Sequence, residues 1–337
     1  MKITIAEKLR PFSHIPGITA IIPGTDCFIR AFPTLILLVR GTEEIALRLS
    51  LTGPVENFTL QLDLEARVLR VFGKASEGFF RLRFSGTSKG VELFGEKVPS
   101  QGIIVQGRTL LHKEHLFFPL DLSFSAPLRL ERLSLGLHRE QEWEKVMHRF
   151  DVAEILPFLF TLGQQTPWRK EPKRLLGSAR LLRSAKLSDF CRVAFREMLV
   201  PRLFDDQHQG IVPEEGEKED PLFLLPSTSA WIRSLFFSQK ERELTLLPTS
   251  LFPEGRLTQI AAAGIGELDL EWSKFTLRRA VLRCTTSLPF SLHLPAELSS
   301  FRLRSSLHER GKRHQGRELL TLCEGTIYLF DQFHSSC

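Results

Sequence analysis

The fold class is decided by two stretches with apolar residues at every second position, FTLQLDL at residues 58–64 and FFRLRF at residues 79–84. Successive side chains of a β-strand point to opposite faces, so a period of two indicates strands that are buried on one face. Turn signals separate such stretches, among them PGTD at 23–26 and SQG at 100–102. We therefore predict that residues 1–128 form an antiparallel β-sandwich.

The hydrophobic period lengthens in the middle of the chain. Apolar side chains recur at three and four residues from Trp143 to Ala153 and indicate an amphipathic helix, which we expect Pro157 to end or kink. A further helix is expected to start at the capping sequence STS of residues 227–229. These features predict a short helical segment over residues 129–240.

A polar loop and a second β-domain complete the predicted organisation. Residues 205–221 combine acidic residues with Gly and Pro, a composition too polar and too broken to pack. Alternation returns in ELTL at 243–246 and ELDLEW at 267–272, and a last strand pair around Glu324-Gly325 is expected before a frayed tail. We predict a β-rich multidomain (α+β) fold whose small C-terminal β-domain covers residues 241–337.

Composition places the chain among ordinary globular proteins. Hydrophobic residues make up 42% and charged residues 25% of the 337 residues, which argues against disorder and fibrous repeats. The net charge of +6 permits an acidic partner without requiring one. The first residues lack the apolar run of a secretory signal, and no apolar stretch approaches the roughly 20 residues of a membrane span. We expect a cytoplasmic protein without a membrane partner.

The five cysteines are far apart and odd in number: Cys27, Cys191, Cys284, Cys323 and Cys337. They form no C-x-x-C pair, so neither a disulfide framework nor a zinc site is indicated. We expect reduced thiols, no metal and no cofactor.

Residues 230–295 carry a distinctive order of short motifs. The segment AWIRSLFFSQ at 230–239 is followed by ELTLLP at 243–248, FPEG at 252–255, IAAAGIGELDLEW at 260–272 and LRRAVL at 277–282. This order resembles the end of the barrel and the C-terminal β-domain of bacterial α-L-fucosidase-type glycoside hydrolases, which carry an (α/α)6 barrel. The resemblance implies an N-terminal β-sandwich, helical linkers, a barrel and a C-terminal β-domain.

The helical middle is too short for a complete barrel of this type. Twelve barrel helices of about 11–12 residues each, with their loops, need far more residues than 137–240 provide. We therefore expect a reduced (α/α)-type segment in a glycosidase-like protein with a truncated catalytic region, which binds a saccharide or a protein partner without catalysis. The alternatives are a minimal or oligomer-completed glycoside hydrolase, and a basic scaffold that contacts nucleic acid.

Four acids in the middle segment are the candidate catalytic residues: Asp151, Glu154, Asp205 and Asp206. The resemblance implies that both catalytic carboxyl groups lie on the barrel, and inverting glycoside hydrolysis needs such a pair about 6.5–9.5 Å apart, one as general acid and one as base. Nothing in the spacing places two of these acids opposite each other. The same acids also suit solvated or helix-capping positions.

Two further side chains are candidate ligand-binding residues. Trp168 follows Pro167 and has the least core-like surroundings of the tryptophans, so its ring could stack on a sugar. His208 lies close to Asp205 and Asp206 and could join an acid–base cluster, although a plain turn has the same composition. The other tryptophans are expected in the core.

A basic stripe over residues 169–186 is the main cluster of positive charge. Clustered cations suit nucleic acid or phosphate, but a solvated helix face has the same pattern. Apart from Trp168 the stripe lacks aromatic residues on which bases could stack, and no nucleic-acid-binding motif occurs. We therefore expect no nucleic-acid partner, while an oligomer remains compatible with the sequence.

Overall fold

A computed structural model describes most of the predicted β-rich parts of the chain. The described residues are 2–4, 9–125, 129–136, 140–142, 155–167, 198–199, 221–249 and 251–335. The chain divides into two compact units, the first made of residues 1–128 with 140–227 and the second of residues 129–139 with 228–337. Each unit contains sheets of its own.

Most of the described chain is strand, which confirms the predicted β-rich class; the sandwich arrangement stays a prediction. In chain order the strands are β1 (Lys2–Thr4), β2 (Phe12–Ser13), β3 (Thr19–Ile21), β4 (Phe28–Phe32), β5 (Leu35–Arg40), β6 (Glu43–Arg48), β7 (Glu56–Asp63), β8 (Val68–Ala75), β9 (Gly78–Thr87), β10 (Gly90–Lys97), β11 (Ile103–Val105), β12 (Arg108–Leu110), β13 (His115–Pro119), β14 (Arg132–Ser134), β15 (Glu140–Glu142), β16 (Phe237–Lys240), β17 (Glu243–Leu246), β18 (Glu254–Ala262), β19 (Gly266–Ser273), β20 (Thr276–Cys284), β21 (Phe290–His293), β22 (Leu298–Arg304), β23 (Lys312–Gln315), β24 (Leu319–Leu320) and β25 (Ile327–Ser335). The helices of the described residues are α1 (Ile155–Gln165) and α2 (Pro221–Phe236), and neither is long and apolar enough to cross a membrane.

The largest sheet of the first unit has six antiparallel strands in the order β13-β10-β9-β8-β7-β2. The predicted alternation is confirmed on β9, where Phe80, Leu82 and Phe84 are fully buried and Arg81 between them is exposed. Burial of each such apolar side chain contributes about 1.5–3 kcal/mol. One face of this sheet therefore packs into the core of the unit, and the other carries polar and aromatic side chains.

Among its described residues the first unit also contains three smaller sheets and α1. Strands β3 to β6 form an antiparallel meander, β11 pairs with β12, and β1 pairs with β15. α1 buries Phe158, Leu159 and Leu162. The side-chain amide of Gln165 at its end donates a 2.8 Å hydrogen bond to the carbonyl of Leu64. This contact ties α1 to the residue that follows β7.

Proline lies in the first turn of both described helices. The helix predicted from Trp143 to Ala153 lies outside the described residues, and Pro157, which we expected to end or kink it, is the third residue of α1. α2 begins at Pro221, so the predicted capping sequence at 227–229 lies inside it. The first N–H groups of a helix have no partner within the helix, so the first turn tolerates a residue that lacks an N–H. Pro226 is the exception, because it lies within α2.

The second unit is built on a seven-stranded antiparallel sheet in the order β14-β18-β19-β20-β25-β22-β23. The predicted ELDLEW strand is β19, and its inward residues Leu268, Leu270 and Trp272 are each 1% exposed. The ring of Trp272 stacks on Phe236 with 5.0 Å between ring centres. A second sheet has the order β16-β17-β21-β24, with β17 parallel to β21 and its other pairs antiparallel.

Several strands differ from the prediction in their position, their pairing or their length. β14 and β15 lie within the segment that we predicted to be helical. β24 pairs with β21 and not with β25, so the strand pair predicted around Glu324-Gly325 is wrong. β25 continues to Ser335, where a frayed tail was expected. Alternation indicates that a segment is a strand, but the choice of partner depends on residues far away in the sequence.

Candidate ligand-binding face

The sequence-predicted site residues all lie outside the described residues: Asp151, Glu154, Trp168, Asp205, Asp206 and His208. The basic stripe at 169–186 lies outside them as well. The hypotheses attached to these residues therefore stay predictions. The described residues contain a different cluster, on the six-stranded sheet of the first unit.

The outward side of β8, β9 and β10 carries aromatic and basic side chains together with the acids Glu92 and Glu96 of β10. The inward positions of these strands are apolar and buried, so the positions between them point away from the core. We call the cluster the aromatic–basic face, and it consists of Phe72, Phe79, Arg81, Arg83, Phe94 and Lys97. Arg81 and Lys97 are exposed, and the other four side chains are half-buried.

Strand pairing brings the members of this face together. Arg83 on β9 lies directly opposite Phe94 on β10, and Arg81 lies opposite Phe72 on β8. Opposed side chains on one face of a sheet have Cβ atoms about 4.5–5.5 Å apart. On β10, the neighbour of β9 opposite to β8, a β-bulge after Gly95 places Lys97 opposite Arg81. The bulge thus adds a third cation to the face.

Each of the three cations lies over an aromatic ring. The guanidinium carbon of Arg83 is 4.3 Å from the centre of the Phe94 ring, and that of Arg81 is 5.4 Å from the ring centre of Phe72. Arg81 and Lys97 also lie over Phe79, at 5.7 and 5.0 Å. Contacts of this kind stabilise by about 0.5–1 kcal/mol at exposed sites. They hold long, flexible cationic side chains in fixed positions.

The three cations of this face make no direct ion pair with the described acids, although Glu92 and Glu96 lie on the same side of β10. Arg81, Arg83 and Lys97 form no ion pair with any carboxylate that the structure describes. The nearby acids have other partners. Arg70 contacts Glu96 at 3.1 Å, and Lys74 contacts Glu56 at 3.5 Å. Glu92, two residues before Phe94, also has a partner: its Oε1 lies 2.7 Å from His115 Nδ1.

Asp63 is the buried anchor beside this face. Its carboxylate has no exposed surface and accepts hydrogen bonds from Arg70 Nη1 at 3.1 Å and the Ala66 N–H at 3.0 Å, and Arg10 Nε lies 2.7 Å away. Removal of a carboxylate from water costs several kcal/mol, so a buried one needs partners of this kind. The arrangement fixes Arg70 between Asp63 and Glu96 and gives Asp63 a structural role.

The outer side of the seven-stranded sheet is also charged, and several of its charges are paired. Arg283 contacts Glu267 at 3.2 Å and Asp269 at 2.9 Å, and Arg279 contacts Glu271 at 2.5 Å. Exposed pairs of this kind contribute about 0–1 kcal/mol each and are typical of a solvated surface. What distinguishes the aromatic–basic face is the position of its cations over aromatic rings.

Two pKa shifts mark structural groups outside that face. Burial by itself raises the pKa of Asp331, but the hydrogen bond from Arg302 and the positive charges of Arg304 and Arg302 outweigh burial, so the pKa is lowered. Burial, and secondly the charge of Asp26, raise the pKa of the Cys27 thiol to about 12. Cys27 is therefore protonated at neutral pH and a poor nucleophile.

The described side chains offer little to a metal ion. No group of three or more His, Cys, Asp or Glu residues within the described ranges could hold one. The described cysteines are free thiols, of which Cys27 and Cys284 are buried and Cys323 is exposed.

The aromatic–basic face was not recognised from the sequence, although part of its signal is there. The alternation of FFRLRF places Phe79, Arg81 and Arg83 together on the polar side of one strand. What the sequence lacks is the register that sets Phe72 and Phe94 on either side of them.

No protein-family model and no curated protein matches this sequence. The resemblance of residues 230–295 to barrel glycoside hydrolases therefore stays a prediction.

Proposed function

We propose that this protein is a non-catalytic binding protein that holds an extended anionic ligand on the aromatic–basic face. One observation carries the proposal: Arg81, Arg83 and Lys97 lie over aromatic rings on an exposed sheet face, without a described carboxylate partner. Three unpaired cations held close together repel one another, and an anionic ligand relieves this repulsion.

The form of the ligand follows from the spread of the face over three neighbouring strands. Neighbouring strands are about 4.8 Å apart, so the cations and rings are spread along the sheet and are not gathered in a pocket. Such a row suits a polymer with regularly spaced negative charges better than a small compact anion. The saccharide partner implied by the resemblance fits this proposal if the saccharide is acidic.

Retention on immobilised heparin tests the proposal. In the full chain, R81E/R83E reverses two charges of the face, and R256E/R313E reverses two exposed arginines on β18 and β23 of the second unit. Both variants change the net charge equally. We expect R81E/R83E to elute at clearly lower salt than R256E/R313E. Equal shifts for the two variants would show that net charge alone governs retention and would reject the face as the binding surface.

A further inference from the structure

We infer that the ligand of the aromatic–basic face is a single-stranded nucleic acid. The inference rests on the proposed function and names the class of its ligand. It departs from the expectation drawn from the basic stripe, which lacks aromatic residues; the sheet face combines aromatic rings and cations in one surface.

The groups left available on this face match phosphates and bases better than sugar hydroxyls. Saccharide recognition needs several free donors and acceptors for hydroxyl groups. Several candidates here already have partners: Ser85 Oγ donates to Glu92, and Glu96 and Asp63 accept from Arg70. Guanidinium groups, an ammonium group and flat rings remain, and these bind phosphates and stack on bases without reading hydroxyl positions.

The stacked guanidinium groups can themselves act as platforms for bases. Bases of single strands stack on aromatic side chains and on the planes of arginine guanidinium groups. The guanidinium carbon of Arg83 lies over Phe94, and that of Arg81 lies over Phe72 and Phe79. In the proposed complex a base contacts these groups from the solvent side, away from the rings.

A continuous row of side chains crosses the whole sheet at this level. Directly paired residues on successive strands from β2 to β13 are Phe12, Gln61, Arg70, Arg83, Phe94 and His115. Six strands span about 24 Å. Single-strand sites on OB folds, which are also built on β-strands, take roughly 4–16 nucleotides. This row is long enough for several nucleotides. Exposed Phe12 lies at one end of the row, and at the other the His115 ring is tilted against Phe94 with 4.4 Å between ring centres, so both ends add rings to the surface.

The face suits single strands and not duplexes. In a duplex the flat sides of the bases are stacked on one another, and the major groove admits a helix or a two-stranded ribbon. A six-stranded sheet is too wide to enter that groove. A duplex would offer this face its phosphates alone.

The test is fluorescence anisotropy of the full chain with a labelled oligothymidylate of about 12 nucleotides, with the matching duplex in parallel. We expect salt-dependent binding of the single strand that is at least about tenfold tighter than duplex binding. R81E/R83E should weaken it by at least about tenfold, and the loss of two phosphate contacts should lower the slope of log K against log salt by about 1.4. R256E/R313E should behave like the unchanged protein.

The aromatic contribution separates nucleic acid from any other polyanion. F79L/F94L keeps apolar side chains and should weaken single-strand binding about tenfold at an unchanged salt slope, while F79Y/F94Y should retain it. A thermal melt confirms that each variant is folded, and Phe94→Leu alone serves if the double variant is not.

Two results overturn the inference in different ways. Unchanged single-strand affinity in F79L/F94L, or equal affinity for the duplex, would reject single-stranded nucleic acid but leave a polyanion-binding face. Absence of binding to oligothymidylate and to heparin would reject the proposed function as well.

Discussion

Arg83 and Phe94 face each other across β9 and β10, with 4.3 Å between the guanidinium carbon of Arg83 and the centre of the Phe94 ring. The contact couples a cation without a described carboxylate partner to a half-buried ring on an exposed sheet face. This pair is typical of the proposed binding surface, because strand register sets the position of the charge relative to the ring.

Arg83→Gln should separate binding from stability. The variant loses one cation–π contact between two half-buried side chains, so the free energy of unfolding in urea should fall by no more than about 2 kcal/mol. Heparin retention should nevertheless shift to lower salt. A loss of stability of several kcal/mol with unchanged retention would make Arg83 a structural residue.

Asp63→Ala should be strongly destabilising. The change leaves Arg70 and Arg10 without the buried carboxylate that they contact, and loss of one partner from such a cluster costs about 3 kcal/mol. Asp121→Ala is the matched control, because the side chain of Asp121 is 99% exposed. Urea unfolding measures both, and a similar small loss for the two variants would show that Asp63 is not an anchor.

Asp331 should contribute to acid sensitivity. Its pKa is lower in the folded chain than in the unfolded chain because Arg302 and Arg304 outweigh the effect of burial. Its contribution to stability is therefore fully present above the ordinary pKa of Asp and is lost as the pH falls through the lowered folded value. Asp331→Asn should flatten the decline of unfolding free energy from about pH 5 to about pH 2. An unchanged decline would contradict this role.

The isolated chain should not hydrolyse glycosides. Residues 137–240 are too few for the barrel that the resemblance implies, and a general acid and base act only when rigid elements hold them at a fixed separation. The measurement is product release from aryl glycosides, fucosides included. Four acids are each changed to Ala: Asp151, Glu154, Asp205 and Asp206. Turnover by the unchanged chain that one of these substitutions abolishes would show that the protein is an enzyme.

The sequence was sufficient where the signal is local. A period of two at residues 58–64 and 79–84 predicts strands correctly, because the side-chain direction within one strand follows from its own residues. We expected α2 to start at the capping sequence 227–229, but the helix begins at Pro221. Thr228 and Ser229 are buried inside the helix, so packing around them outweighs their preference for a capping position.

The candidate site depends on information that is not local. Arg81 and Arg83 share one strand and were visible in the pattern, but their aromatic partners come from β8 and β10. The position of Lys97 depends in addition on a bulge, which moves it to a face that simple alternation does not assign to it. Register and bulges follow from packing of the whole sheet, so the combination of rings and cations emerges with the fold.

Lysine footprinting of the full chain locates the binding surface most directly. The protein is acetylated briefly with and without oligothymidylate, and modification of each lysine is read by mass spectrometry. We expect Lys97 on the aromatic–basic face to be protected by the ligand, while exposed Lys312 on β23 of the second unit keeps its reactivity. Unchanged reactivity of Lys97, with protection confined to Lys170 and Lys173 of the basic stripe, would contradict binding at this face.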